Sequence, residues 1–88
     1  MTVPLDPATT LHERLLELSA DTLGVTPAEL VPDALLGDEL GMDSLAAIEW
    51  GMTIEDAFGV SLPEDAWNYV RTYGMVEDLV RRQLRRSA

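Results

Sequence analysis

The residues best placed to do chemistry lie in the stretch Gly41-Met42-Asp43-Ser44, where a hydroxyl directly follows a carboxylate. Asp43 is a good helix N-cap, so Ser44 opens the helix that follows and presents its hydroxyl at the surface. A phosphate attached there would lie near the unpaired N–H groups and the positive dipole end of that helix, a favourable place for an anion. On residue physics alone the simpler account is one more first-turn serine. An enzyme would need an assembled nucleophilic set, and Ser44, His12 and an Asp form the only one to consider. No G-x-S-x-G surrounds Ser44, and so small a chain offers no evident substrate pocket, so no catalytic residue is expected. The D-x-[DN]-x-[DN]-G spacing of a calcium loop is absent, and Asp33 to Ser44 has apolar residues where ligands should stand. With no cysteine and one histidine, a structural zinc site is not expected either.

The helix begun by Ser44 is expected to run to about Phe58, with Gly59 as its stop. Stepped at about 100° per residue, it carries two apolar stripes. Ala47, Trp50, Ile54 and Phe58 share one side and are assigned to the core. Leu45, Ile48 and Met52 point away from it, interleaved with Glu49, Glu55 and Asp56. Apolar residues ringed by acids have the composition of a partner-binding strip, in which apolar groups supply affinity and charge steers approach. The other reading is that Ile48 and Met52 merely widen the core face. Gly51 flanks that face, and glycine there is expected to reflect a backbone, or the Trp50 indole, passing too close for a methyl group; Gly51→Ala is then expected to destabilise.

The elements that must position this helix follow from periodicity and punctuation. Leu11, Leu15, Leu18 and Leu23 recur at helical spacing, and Thr10 with Glu13 forms a capping-box pattern, predicting a first helix from Thr10 to Leu23. Val25 to Gly41 is irregular, with Thr26-Pro27-Ala28-Glu29 suited to one short turn. A connection this long in so small a domain must be packed, through Leu30, Val31, Leu35, Leu36 and Leu40. Pro63, Glu64 and Asp65 suit the first turn of a short third helix reaching about Val70. Thr72 caps a last helix with the stripe Tyr73, Val76, Leu79, Val80 and Leu84. The fold class is all-α: a small four-helix bundle, three main helices and a short third, with a long packed loop between helices one and two.

The chain has 88 residues, 16 acids, 6 arginines, no lysine and a net charge of −10. Residues 1–70 hold 14 acids and one arginine, Arg14, whereas residues 71–88 hold five arginines and two acids. An acidic body repels nucleic acid and anionic membranes and speeds encounter with basic protein surfaces; alternatively, it only keeps the protein soluble. Arg81, Arg82, Arg85 and Arg86 suit a helix C-terminus. No apolar run is long enough to span a membrane, and Met1 to Asp6 lacks the features of a signal peptide. One domain over 1–88, with a core of about 8–86, monomeric and cytoplasmic, is expected.

Leu40-Gly41-Met42-Asp43-Ser44-Leu45, with Glu49 five residues past the serine, resembles the attachment motif of acyl carrier proteins. Leu23-Gly24-Val25, Phe58-Gly59-Val60-Ser61-Leu62-Pro63 and Thr72 also fall at that family's spacing. The resemblance covers about residues 8 to 86. It implies that Ser44 bears 4′-phosphopantetheine, transferred from coenzyme A by a phosphopantetheinyl transferase, and that the arm's thiol holds acyl groups as thioesters. Asp43 would belong to transferase recognition, and Leu45, Ile48, Glu49, Met52, Glu55 and Asp56 would face partner enzymes with basic surfaces: acyltransferases, ketosynthases or ligases. Met42 and Ala46 depart from fatty-acid-synthesis carriers and look more like polyketide or related specialised carriers, in a free-standing form. Some members fold a long acyl chain between their helices; Trp50, where a smaller aliphatic residue is usual, would fill that space and implies short, polar or aromatic cargo, or cargo left exposed. The rival readings are an aminoacyl or peptidyl carrier of a nonribosomal pathway, which shares the arm, and a noncatalytic helical adaptor, which would leave Ser44 unmodified.

Overall fold

A computed structural model describes residues 7–87, with side chains from 11 to 86. Its helices are α1 (Pro7–Leu23), α2 (Ser44–Phe58), α3 (Ala66–Tyr69) and α4 (Tyr73–Ser87), with a single 3-10 turn, Pro27–Glu29, in the connection after α1. The expected all-α bundle is what the chain forms. Two boundaries differ from expectation. α1 begins at Pro7, ahead of Thr10, so Thr10 lies within the helix and not before it. α3 begins at Ala66, after a turn in which the Ala66 amide donates to the Pro63 carbonyl, because a proline followed by two acids here closes a turn before the helix can start.

The core is organised around Trp50, which is completely buried. Its indole Nε1 donates to the Ser19 hydroxyl of α1 at 2.9 Å, and its ring stacks on Trp67 of α3 and on Tyr73 of α4, at centroid distances of 5.5 and 6.4 Å. One side chain of α2 thus touches each of the other three helices. Leu15, Ile54, Val76 and Val80 complete the interior, with Phe58 only partly buried at its edge. The Tyr73 hydroxyl is buried without a hydrogen-bond partner among the described residues. Burial pushes its pKa up to about 12, the charge of Glu77 adds to this, and the nearby Ser19 side chain pulls the other way.

The long connection is packed, as its leucines require, through Leu30, Leu36 and Leu40. Val31 and Leu35, also expected inside, are exposed. Around these two residues the backbone helps to secure the loop. Leu36 N–H donates to the Arg71 carbonyl, Tyr73 N–H to that of Ala34 and Gly74 N–H to that of Pro32, beside a lone antiparallel bridge pairing Leu35 with Thr72. This stitching pairs three groups of the loop with residues 71–74 and satisfies the first amides of α4. The Thr72 hydroxyl accepts from Met75 N–H at 3.3 Å, the expected cap.

Two glycines show opposite uses of space. A Cβ on Gly74 would meet the Pro32 carbonyl oxygen at 3.0 Å, where the stitched backbones cross. A Cβ on Gly51 would meet only the edge of the Trp67 indole at 3.4 Å, an ordinary contact. The expected clash at Gly51 is therefore corrected: the neighbour is Trp67, and it leaves room for a methyl group.

α1 is clasped to its neighbours by polar contacts that apolar periodicity does not reveal. Arg14 lies over the Phe58 ring, 4.7 Å from its centre, and donates to the Ala57 carbonyl at 2.8 Å. His12 Nδ1 lies 2.8 Å from Glu77 Oε1, and Arg81 donates to Glu77 Oε2 at 2.7 Å. Burial raises the Glu77 pKa, but hydrogen bonds from Arg81 and His12, with their charges, outweigh it and hold the carboxyl below its usual value.

Gly51→Ala should raise the melting temperature, with a gain of roughly 0.5–1 kcal/mol from helix propensity. Gly74→Ala should lower it, because an overpacking cost of about 1–3 kcal/mol exceeds the same gain. Shifts of the same sign in thermal melts would show that local space does not decide. A carboxyl with a depressed folded-state pKa stabilises above its unfolded value of 4.5 and loses that contribution as pH falls through the folded value. Glu77→Gln should therefore be less stable than the parent near neutrality, and the gap should close in acid below pH 4.5. A gap independent of pH in chemical denaturation would contradict the clasp.

Candidate functional site

Ser44 is the first residue of α2 and is exposed. Its position follows from the loop before it. Leu36 and Leu40 anchor that loop in the core, Met42 N–H donates to the Leu36 carbonyl at 2.9 Å, and Gly41 turns the chain with φ +69°, a conformation that favours glycine. Asp43 then adopts an extended conformation, and its Oδ1 accepts from Ala46 N–H at 2.8 Å. Its carbonyl takes the Ala47 N–H. Asp43 is thus the N-cap expected from its type, and the chain enters the helix at Ser44 with the hydroxyl making no hydrogen bond among the described residues. A substituent on this oxygen would displace no core atom. An anionic one would sit at the positive end of a helix of 15 residues.

The histidine of the nucleophilic set considered above is not brought to Ser44. His12 is engaged with Glu77 at the junction of α1 and α4. Among the described residues no three His, Cys, Asp or Glu side chains are grouped to hold a metal ion, and no helix is long and apolar enough to cross a membrane. The arrangement offers an accessible hydroxyl on a rigid element, with activation left to whatever binds it.

Beyond Ser44, α2 divides as its two stripes suggest. Ala47, Trp50 and Ile54 are buried, whereas Leu45, Ile48 and Met52 are 64%, 57% and 59% exposed. The possibility that Ile48 and Met52 widen the core is thereby excluded. Glu49 and Asp56 stand exposed beside them. Glu55 is different: it is half-buried, and its Oε2 accepts from Leu62 N–H at 2.7 Å. That bond ties the segment after α2 to the helix, so Glu55 is a structural carboxylate at the edge of the strip and not a free charge within it. Leu45, Ile48, Glu49, Met52 and Asp56 remain as the open face.

Trp67 was given no role by residue pattern, because a four-residue helix has too few positions to show a period. It walls an open groove of about 460 Å³ that begins at Ile48 and Met52, crosses bare Gly51 and ends at Leu62 and Pro63. The exposed strip and this groove form one continuous surface leading away from Ser44.

Comparison with known proteins gives this surface a context. The family model described as "Phosphopantetheine attachment site" matches residues 13–82. The protein named "Acyl carrier protein" from Amoebophilus asiaticus (strain 5a2) is 31% identical over 74 residues, 84% of this chain and 92% of the relative. A protein of the same name from Zymomonas mobilis subsp. mobilis (strain ATCC 31821 / ZM4 / CP4) is 41% identical over 68 residues, 77% of this chain and 83% of the relative.

Proposed function

This chain belongs to the acyl carrier protein family, and on that premise we propose that Ser44 is the residue through which it carries its cargo. Family membership implies a covalently attached 4′-phosphopantetheine, an acyl-carrying role and no catalysis by the carrier itself. It likewise implies work with a phosphopantetheinyl transferase and with synthase enzymes in general. The attached group supplies the thiol that this chain, having no cysteine, lacks.

The observation that carries the assignment is the exposed, unbonded Ser44 hydroxyl at the first position of α2, inside the matched region. The residues around it fit a phosphate-linked arm, because the oxygen is free and the helix end favours a negative charge. His12 is engaged with Glu77 and Asp43 with the Ala46 N–H, and we assign the removal of the serine proton to the transferase. Asp43 caps the helix start, which fixes the backbone that carries the hydroxyl, and we assign it a share in transferase recognition. Leu45, Ile48, Glu49, Met52 and Asp56 would meet partner enzymes, the apolar side chains by burial and the acids by attraction to basic surfaces.

Met42 and Ala46 favour cargo from polyketide or related biosynthesis, passed among acyltransferases, ketosynthases or ligases. Trp50 supports a further limit. With the indole filling the space among the helices, a long acyl chain would have to displace packed atoms, at a cost of about 1–3 kcal/mol or more. Short, polar or aromatic groups, or groups left exposed to partners, suit such a carrier.

Incubation with coenzyme A and a broad-specificity phosphopantetheinyl transferase should convert the protein to one heavier species bearing a free thiol. Ser44→Ala should keep its helical spectrum and gain no mass. Failure of several transferases on the parent, or modification of the alanine variant, would contradict the assignment and favour the adaptor reading. Glu49→Lys and Asp56→Lys should slow this transfer at low ionic strength while changing stability little, since exposed charges steer association more than they stabilise. The slowing should shrink as salt screens the charges. Rates equal to the parent at low salt would reduce these acids to a solubility role.

A further inference from the structure

The five arginines that follow residue 70 do not all serve the fold. Arg81 is paired with Glu77 at 2.7 Å, and Arg71 reaches toward the Val70 carbonyl. Arg82, Arg85 and Arg86 are without an ion pair among the described residues, and all three line a groove of about 440 Å³ between α4 and the segment Pro63–Tyr69. The rest of its wall includes Leu79, Pro63 and the Tyr69 ring, which is 45% exposed. Arginines at a helix C-terminus favour the dipole wherever their side chains go. That effect does not account for their gathering around an exposed aromatic ring in a concave surface.

We propose that this groove is a second docking site, which receives a short acidic segment of a partner protein, with an apolar side chain of that segment against Tyr69. The chemistry of the walls sets the charge: guanidinium groups make forked hydrogen bonds to carboxylates and also stack on aromatic rings. The rest of the molecule sets the size. The first 70 residues carry 14 acids against one arginine, so a nucleic acid or an anionic membrane, extending past the groove, would meet a strongly repulsive body. A short acidic peptide confined to the groove, beside Asp78 but among three arginines, meets less of that repulsion because it spans fewer of the acids. Position adds a further argument. Pro63 borders both this groove and the one walled by Trp67, so the arginine groove continues the surface that begins at Ile48 and Met52. A partner that covers α2 with a basic patch and α4 with an acidic one would be held in a single orientation, because reversing it sets like charges together. The proposal does not depend on Ser44 being modified.

The test uses the unmodified 88-residue chain, labelled with 15N, titrated at low salt with a short acetylated peptide of glutamates around a central pair of leucines. Saturable shifts are expected at Tyr69, Leu79, Arg82, Arg85 and Arg86, with affinity falling as salt rises. Arg82→Glu combined with Arg85→Glu should weaken binding by roughly tenfold or more, and Tyr69→Ser should weaken it less. Arg82→Gln with Arg85→Gln, which leaves no new charge at the helix end, should also weaken binding while preserving the melting temperature. Absence of saturable shifts in this groove, or equal affinity in all three variants, would overturn the proposal. So would tighter binding of a single-stranded oligonucleotide or anionic vesicles than of the peptide. Self-association by sedimentation that the charge-reversed variant abolishes would assign the groove to a second copy and overturn it as well.

Discussion

The hydrogen bond from the Trp50 indole to the Ser19 hydroxyl, made in a fully buried setting, is the contact on which the arrangement of helices turns. An indole N–H withdrawn from water without a partner would cost about 1–3 kcal/mol, so the large ring can sit at the centre only if α1 brings Ser19 to it. That requirement sets the rotation of α1 against α2. Once the ring is placed, its faces take up Trp67 and Tyr73, which fixes α3 and the start of α4. The same ring leaves the opposite side of α2 nothing to bury against. Leu45, Ile48 and Met52 are exposed because the core is already filled, and a protein with so few residues has no second core to offer them.

Loop and charge complete what the indole begins. The connection from Gly24 to Asp43 is bound by its backbone to residues 71–74 and by Leu36 and Leu40 to the interior, so Ser44 is held at the end of a fixed path and not on a free tether. A carrier must present one atom to several enzymes in turn, and a rigid start to α2 makes that presentation reproducible while the attached arm supplies the reach. The polarity of the surface adds direction. Acids stand along α2 and most of the body, and arginines gather at the far end of the chain, which gives any partner an orientation as well as an attraction.

Much of this was legible from residue order. The limits of α2 followed from Asp43 and Gly59, and its two stripes from helical period, because a 15-residue helix gives a period room to repeat. The Thr72 cap and the α4 stripe were equally plain. What escaped is non-local or too short to repeat. Nothing in sequence pairs Ser19 with Trp50, or Leu35 with Thr72, since each pair is joined only after the chain has folded. Val31 and Leu35 were expected inside because leucine and valine usually are, but backbone bonds held that stretch of loop in place and left their side chains out. For Glu55 and Gly51 the helical wheel says which way a residue points and not what lies opposite; Leu62 N–H and the edge of Trp67 decide the two.

Trp50 closes the interior, so an acyl group attached at Ser44, as proposed, would ride outside the helices. The direct measurement is the 15N–1H resonance of the Trp50 indole, with its hydrogen-exchange protection, in protein loaded with acyl groups of increasing length. Because the N–H is held by Ser19 in a packed core, its shift and its protection should be the same in the unloaded protein and across the series. A shift that grows with chain length, with loss of protection as the Ser19 bond opens, would mean that the chain enters beside the indole and would contradict the account.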